Sequence, residues 1–160
     1  MRTKALLVPA LLLLVLLTLI LTGCTVGNIP TPSNTTPPVA VAMGGVQDIA
    51  PGVTASALSY TDPTPYDKGD RKLQSVGVDV QVCDAVASSV TDTRWTLIDS
   101  VGHIYTNTYN PYDDAPMYPE YADTTAGQCV QGRIAFRLPK DAIITTVRYT
   151  AITGVFDWMI

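Results

Sequence analysis

Apolar and polar residues alternate along several short runs in the second half of the chain, and this period of two constrains the fold more than any other feature of the sequence. The clearest run places valine at positions 76, 78, 80 and 82, with Gly, Asp, Gln and Cys between them. Such alternation is typical of a β-strand with one buried face. Glutamate supplies only one of the 14 acidic residues, which also favours strands over helices. We therefore expect an all-β domain.

The same alternation, interrupted by turn signals, predicts about seven strands and no helix after the N-terminal segment. Seven short strands within roughly 115 residues are the signature of a sandwich of two antiparallel sheets. The predicted architecture is thus an immunoglobulin-like β-sandwich, preceded by a signal helix and a disordered linker. The predicted strands span residues 53–60, 76–83, 94–98, 103–108, 130–138, 143–150 and 155–160.

The N-terminus has the layout of a secretory signal, with a cationic start, an apolar core at residues 5–20 and small residues before a cleavage point. The tetrapeptide Leu21–Cys24 resembles the bacterial lipobox, in which the cysteine thiol accepts a diacylglycerol and becomes the new N-terminus. We expect Cys24 to anchor the protein to the outer face of the cell membrane. An uncleaved signal anchor and cleavage without lipidation remain as alternatives.

The segment after Cys24 lacks both charge and hydrophobic period. It is rich in Pro and Thr, a composition that cannot form a packed core and is typical of an extended linker. O-linked sugar on residues 31–38 is one reading of this stretch, and an unmodified linker is the other. The expected organisation is a signal peptide at 1–23, a lipidated linker at 24–47 and a β-sandwich at 48–160.

Three segments of the domain resemble a known family in their order and content. They are residues 76–83, 95–105 and 127–139, the last with the pattern Gly-x-Cys-x-x-Gly-x-Ile-x-Phe-x-Leu-Pro. They resemble the telokin-like, immunoglobulin-fold domain of bacterial extracellular lipoproteins, a domain of unknown function related to the mycobacterial immunoprotective extracellular proteins. The resemblance covers roughly residues 53–160 and implies a fold and a surface location, but no reaction. It also suggests a Gram-positive actinobacterial host.

The two cysteines of the domain are expected to pair. With Cys24 taken by lipid, Cys83 and Cys129 remain in an oxidising compartment, where a disulfide is the usual outcome. Both share a face with polar residues of their strands, opposite the apolar face. We therefore expect a bridge between neighbouring strands on the outer side of one sheet, with a Cα separation of ~4.4–6.8 Å, rather than a bridge across the core.

A long predicted loop between residues 109 and 128 is the candidate binding region. Tyrosine supplies a large and rigid contact area, and binding residues are often carried by loops on a sandwich. Recognition of a protein or a glycan is one reading; calcium binding by the clustered oxygen ligands and packing of the rings over the sandwich end are the others. The candidate residues are Tyr109, Tyr112, Asp113, Asp114, Tyr118, Glu120 and Tyr121.

Composition argues against several other functions. Removal of residues 1–23 leaves 137 residues with 8 basic and 14 acidic side chains, a formal charge of 8 − 14 = −6, which disfavours nucleic-acid binding. His103 is the single histidine and is expected to lie near the surface in a hairpin, without a nucleophile arrangement around it. We expect no enzyme activity, cofactor or metal. The best reading is a non-enzymatic binding module anchored to the membrane, and the alternative is a structural spacer of the cell envelope.

Overall fold

The structure is a computed structural model that describes residues 39–64, 72–110 and 113–160. These residues belong to one compact unit, Pro37–Ile160. The predicted signal helix, Cys24 and Tyr112 lie outside the described residues. The described chain is all-β, with a short 3-10 helix at Asp92–Arg94 and no α-helix. Its strands are β1 (Val41–Ala42), β2 (Val46–Ala50), β3 (Val53–Thr61), β4 (Leu73–Asp84), β5 (Ser88–Thr91), β6 (Trp95–Asp99), β7 (Ile104–Thr108), β8 (Tyr121–Thr124), β9 (Gln128–Pro139), β10 (Ile144–Ala151) and β11 (Gly154–Met159).

Nine of these strands form one curled sheet in the order β1-β11-β10-β6-β7-β9-β4-β3-β2, and β5 pairs with β8 in a separate ribbon. The curl passes through β7, which pairs with β6 along one edge and with β9 along the other. Side chains of both halves contribute to a single hydrophobic core. The described domain is therefore sandwich-like, as expected, although its two layers belong to one continuous sheet.

The two ends of the curled sheet come close together near the C-terminus. The Trp158 indole nitrogen donates a hydrogen bond to the Gly45 carbonyl at 2.7 Å, and the Gln47 amide donates to the Asp157 carbonyl at 2.9 Å. These bonds tie the segment that carries β1 and β2 to β11. They partly cover the edges that an open sheet would expose to other chains.

The predicted alternation is confirmed along β4 and β9. Val76, Val78, Val80 and Val82 are all at most 1% exposed. They pack with the inward residues of β9, and across the core lies an aromatic cluster in which the Trp95 ring is 4.8 Å from Tyr149 and 5.5 Å from Trp158. Large side chains of both layers thus fill the space between them.

The strand count differs from the sequence prediction. All seven predicted strands are present, but the described residues contain eleven. The four additional strands, β1, β2, β5 and β8, have at most five residues each, so a period of two could not be recognised in them. Two of them, β1 and the start of β2, lie within the segment predicted as linker, and β8 lies within the predicted loop.

Cys83 and Cys129 form the expected disulfide. They are directly opposite each other in the antiparallel pair β4–β9, and Cys129 is exposed on the outer side of the sheet. Their Cα atoms are 4.0 Å apart, slightly closer than expected, because directly opposed residues include the closest Cα pairs of an antiparallel sheet. The bridge therefore joins neighbouring strands and does not cross the core.

Candidate functional site

Asp84 is a carboxylate on the core-facing side of β4. It occupies the next inward position after Val82 and is 1% exposed. Sequence reasoning missed this residue, although the alternation that buries the four valines also points residue 84 inward. The signal in the sequence is the charged Asp84 at a position where the alternation of β4 predicts an apolar residue.

One oxygen of this carboxylate is fully occupied. Oδ2 accepts hydrogen bonds from the Ser88 hydroxyl at 2.7 Å and from the Thr124 hydroxyl at 2.5 Å. Ser88 begins β5 and Thr124 ends β8, so Asp84 connects the β5–β8 ribbon to the large sheet. The other oxygen, Oδ1, is buried and has no hydrogen-bond partner among the described residues. A buried carboxylate oxygen without a hydrogen-bond partner destabilises the folded state. This makes Asp84 a candidate for a functional residue.

Asp84 lines a cavity of about 430 Å³ at the end of the domain where β4 finishes. We call it the end cavity. Its walls are mostly aliphatic and come from β2, β3, β4, β5, β10 and the turn before β11. The aliphatic lining residues are Ile49, Ala50, Val53, Val82, Val90, Ala151 and Ile152. Volume and lining are both typical of a site for a small organic molecule.

The end cavity also contains charges and aromatic rings. Arg94 also lines it, with its charge close enough to act on the Tyr149 hydroxyl. Burial raises the pKa of Tyr149, the Asp84 charge adds to this rise, and Arg94 opposes it. At the rim, the Tyr121 hydroxyl donates to the Asp123 carboxylate at 2.6 Å.

The candidate residues of the predicted loop are separated by the structure. Tyr121 is 63% exposed and lines the end cavity, whereas Tyr109, Tyr118 and Glu120 line a second cavity of about 470 Å³. Tyr109 is 79% exposed, but Tyr118 is buried in the core, and this burial raises its pKa. Asp114 is exposed.

Two acidic groups face the second cavity. Asp92 accepts a hydrogen bond from the Asn107 amide at 2.7 Å. Burial raises the pKa of Asp92, and the nearby Glu120 charge raises it further. The cavity is lined by Asp92, Thr93, Asn107, Thr108, Tyr109, Met117, Tyr118 and Glu120.

Asp113 takes part in a group of ion pairs on the outer side of the sheet. Its carboxylate lies 3.3 Å from Arg133, which in turn forms a two-pronged ion pair with Asp79, at 2.9 Å for each contact. Arg133 alternates with the inward residues of β9, a position from which the sequence pattern predicts a side chain facing water, but the segment carrying Asp113 covers it. The Arg133 side chain is only 18% exposed and that of Asp113 is 2% exposed.

His103 lies in the β6–β7 hairpin with a side chain that is 72% exposed. Its ring nitrogen Nδ1 is 2.9 Å from the Asp99 carboxylate, which also accepts from the Tyr105 hydroxyl at 2.9 Å. Across the described ranges, no three His, Cys, Asp or Glu side chains are grouped so that they could hold a metal ion. No helix within these ranges has the length and apolar character needed to cross a membrane.

No protein-family model matches the chain, and no curated protein sequence matches it. Solved structures resemble it in fold. The secreted protein MPT63 from Mycobacterium tuberculosis has a TM-score of 0.58 at 15% identity, with 77% of this chain and 98% of that chain covered.

Two Bacillus subtilis proteins are also similar in fold. One is the candidate lipoprotein ycdA, with a TM-score of 0.53 at 19% identity, covering 72% of this chain and 37% of that one. The other is the yjhA protein, with a TM-score of 0.55 at 10% identity, covering 71% and 83%. At these identities the likeness concerns the fold alone, and it agrees with the sandwich-like architecture of the described residues.

Proposed function

We propose that this protein is a lipid-anchored, extracytoplasmic binding module that takes a small organic molecule into the end cavity. The observation that carries the proposal is Asp84, a buried carboxylate with one unpartnered oxygen in the lining of an aliphatic cavity. A core position without a functional demand would be more stable with an apolar residue, because burial of a charge is costly. Binding sites commonly combine apolar walls with a few such polar groups.

The membrane anchor is the second part of the proposal. Its support is the Leu21–Cys24 tetrapeptide after an apolar segment, together with the sequence resemblance to telokin-like, immunoglobulin-fold domains of extracellular lipoproteins. Globomycin treatment and the variant Cys24→Ala test it in cells. Accumulation of a heavier precursor with globomycin, and loss of the protein from the membrane fraction with Cys24→Ala, are expected. An unchanged mass and fraction in both experiments would reject the anchor.

The binding proposal is tested with ligand-observed NMR on the full-length chain in lipid nanodiscs, using a set of small alcohols, amines and carboxylic acids. We expect saturation transfer to some of them, and loss of this transfer in Ala151→Leu, which fills the cavity from β10. Thr150→Leu, which adds the same side chain at the neighbouring exposed position, is the matched control.

Ser89→Leu provides a second way to block the end cavity, because Ser89 is exposed at its lining and tolerates a larger side chain. Ligand signals that survive both blocking variants would place the binding elsewhere, with the second cavity and its exposed Tyr109 as the next surface to test. If no compound of the set binds at all, the envelope spacer becomes the better description of the domain.

A further inference from the structure

The end cavity combines an apolar wall with an excess of negative charge. Its lining contains two acidic residues, Asp84 and Asp123, and one basic residue, Arg94, which gives a formal charge of 1 − 2 = −1. Asp123 accepts a hydrogen bond from the Tyr121 hydroxyl, and the Arg94 charge acts on the nearby Tyr149 hydroxyl. The Oδ1 atom of Asp84 accepts no hydrogen bond from any described residue.

We infer that the ligand of the end cavity is a small organic monocation, an ammonium or guanidinium group carried on an apolar body; this inference rests on the proposed function of the cavity. A cationic donor compensates the Asp84 charge and occupies Oδ1 with a charge-assisted hydrogen bond, which is stronger than a bond from a neutral donor. A neutral hydroxyl group can donate a hydrogen bond to Oδ1, but it does not compensate the negative charge of Asp84.

The depth of the lining residues sets the orientation of this ligand. Val82, Asp84 and Val90 are at most 2% exposed and form the inner wall, whereas Ile152 is 95% exposed at the rim. The cationic group therefore enters first, and the apolar body lies against the aliphatic walls. A bare metal ion is a poor occupant, since the described residues do not bring three carboxylate, imidazole or thiolate groups together.

The test compares three ligands that share one chain and differ in charge: hexylammonium, 1-hexanol and hexanoate. Each is titrated calorimetrically into the full-length chain in nanodiscs, and empty nanodiscs are used to subtract partition into lipid. We expect hexylammonium to bind at least about tenfold more tightly than 1-hexanol, and hexanoate to bind most weakly.

The variant Asp84→Asn removes the charge but keeps an oxygen that accepts from Ser88 and Thr124. It should reduce the preference for hexylammonium over 1-hexanol to about twofold or less, while Asp141→Asn, an exposed acid outside the cavity lining, leaves the preference unchanged. The melting temperature of each variant verifies the fold. If Asp84→Asn does not fold, the ligand series on the unaltered chain still decides the question.

The outcomes separate this inference from the proposed function. Equal affinity for hexylammonium and 1-hexanol overturns the inference but leaves a small-molecule cavity. Tightest binding of hexanoate overturns it and assigns the recognition to Arg94. A preference for hexylammonium that Asp84→Asn does not alter also overturns it, because the attracting charge then lies elsewhere. Failure of all three ligands to bind overturns both proposals.

Discussion

A β-carbon added to Gly132 would lie 2.4 Å from the backbone nitrogen of Tyr118. The segment before β8 runs beside β9 at this point: the Tyr118 amide donates to the Arg133 carbonyl at 2.9 Å, and the Arg133 amide donates to the Pro116 carbonyl at 2.7 Å. Glycine at position 132 is therefore what allows the Tyr-containing segment to reach the sheet and to bury the Tyr118 ring. The contact links the two regions that the sequence singled out, the β9 pattern and the tyrosine-rich loop.

The variant Gly132→Ala is expected to destabilise the domain by about 2–3 kcal/mol, because backbone atoms must move to admit the methyl group. Tyr118 should then leave its core position, and the near-ultraviolet circular dichroism of the aromatic residues should change. Urea unfolding gives the stability change.

Gly127→Ala is the matched control. Gly127 has φ of +82° and no neighbouring atom within 4 Å of an added β-carbon, so alanine there meets backbone strain of about 1 kcal/mol but no clash. If Gly132→Ala costs no more than Gly127→Ala, the close approach of Tyr118 does not limit stability.

The alternation predicted β4 and β9 well because each carries a row of large apolar residues on one face only. The same alternation placed Cys83 and Cys129 on the polar faces of their strands, and it therefore predicted that they pair on the outer side of one sheet. The additional strands could not be predicted in this way, because β5 and β8 are short and their paired residues are 30 to 36 positions apart, from Thr91 opposite Tyr121 to Ser88 opposite Thr124. Strand pairing at that distance depends on the tertiary fold rather than on local pattern.

The candidate site was only partly predictable for a related reason. Tyr121 was singled out from its residue type, and it does line the end cavity. Asp84 was not, since an Asp at the end of a strand reads equally well as the start of a turn. Its buried environment includes Ser88, four residues further along the chain, and Thr124, which is 40 residues away and cannot be paired with it from local sequence.

Removal of the disulfide should lower stability substantially. The bridge joins residues separated by 46 positions, for which the chain-entropy model gives about 4 kcal/mol at 25 °C. The double variant Cys83→Ser/Cys129→Ser is therefore expected to lose about 2–4 kcal/mol in urea unfolding. Unreduced, unfolded wild-type protein should show no reactive thiol at these positions. A double variant that unfolds at the same urea concentration as the wild type would contradict the prediction.

Arg133 should be difficult to replace even by lysine. Its guanidinium pairs with both oxygens of Asp79 and also reaches the nearly buried Asp113, a geometry that a single ammonium group cannot reproduce. We expect Arg133→Lys to cost about 2–4 kcal/mol, measured by urea unfolding. Arg148 forms a similar two-pronged pair with Asp157, but its side chain is more exposed. Arg148→Lys should therefore cost about 1 kcal/mol or less, and equal losses for the two variants would be evidence against the role of Asp113.

Asp99 should make the stability of the domain depend on pH in acid. Burial of this carboxyl acts to raise its pKa, but hydrogen bonds from the His103 ring, the His103 and Val101 amides and the Tyr105 hydroxyl outweigh burial and hold the pKa well below its usual value of 3.8. Because the pKa is lower in the folded than in the unfolded state, the stabilisation is complete above the unfolded value. It is lost as pH falls below that value towards the folded one.

Melting temperatures measured between about pH 7 and pH 2 test this linkage. The variant Asp99→Asn should melt below the wild type at neutral pH, and the difference should shrink once the pH falls below about 4, as the wild-type carboxyl begins to lose its advantage. The exposed Asp114 supplies the control: Asp114→Asn should follow the wild type over the whole range. A difference between Asp99→Asn and the wild type that stays constant down to the lowest pH would contradict the prediction, because the stabilisation would then not depend on the charge of Asp99.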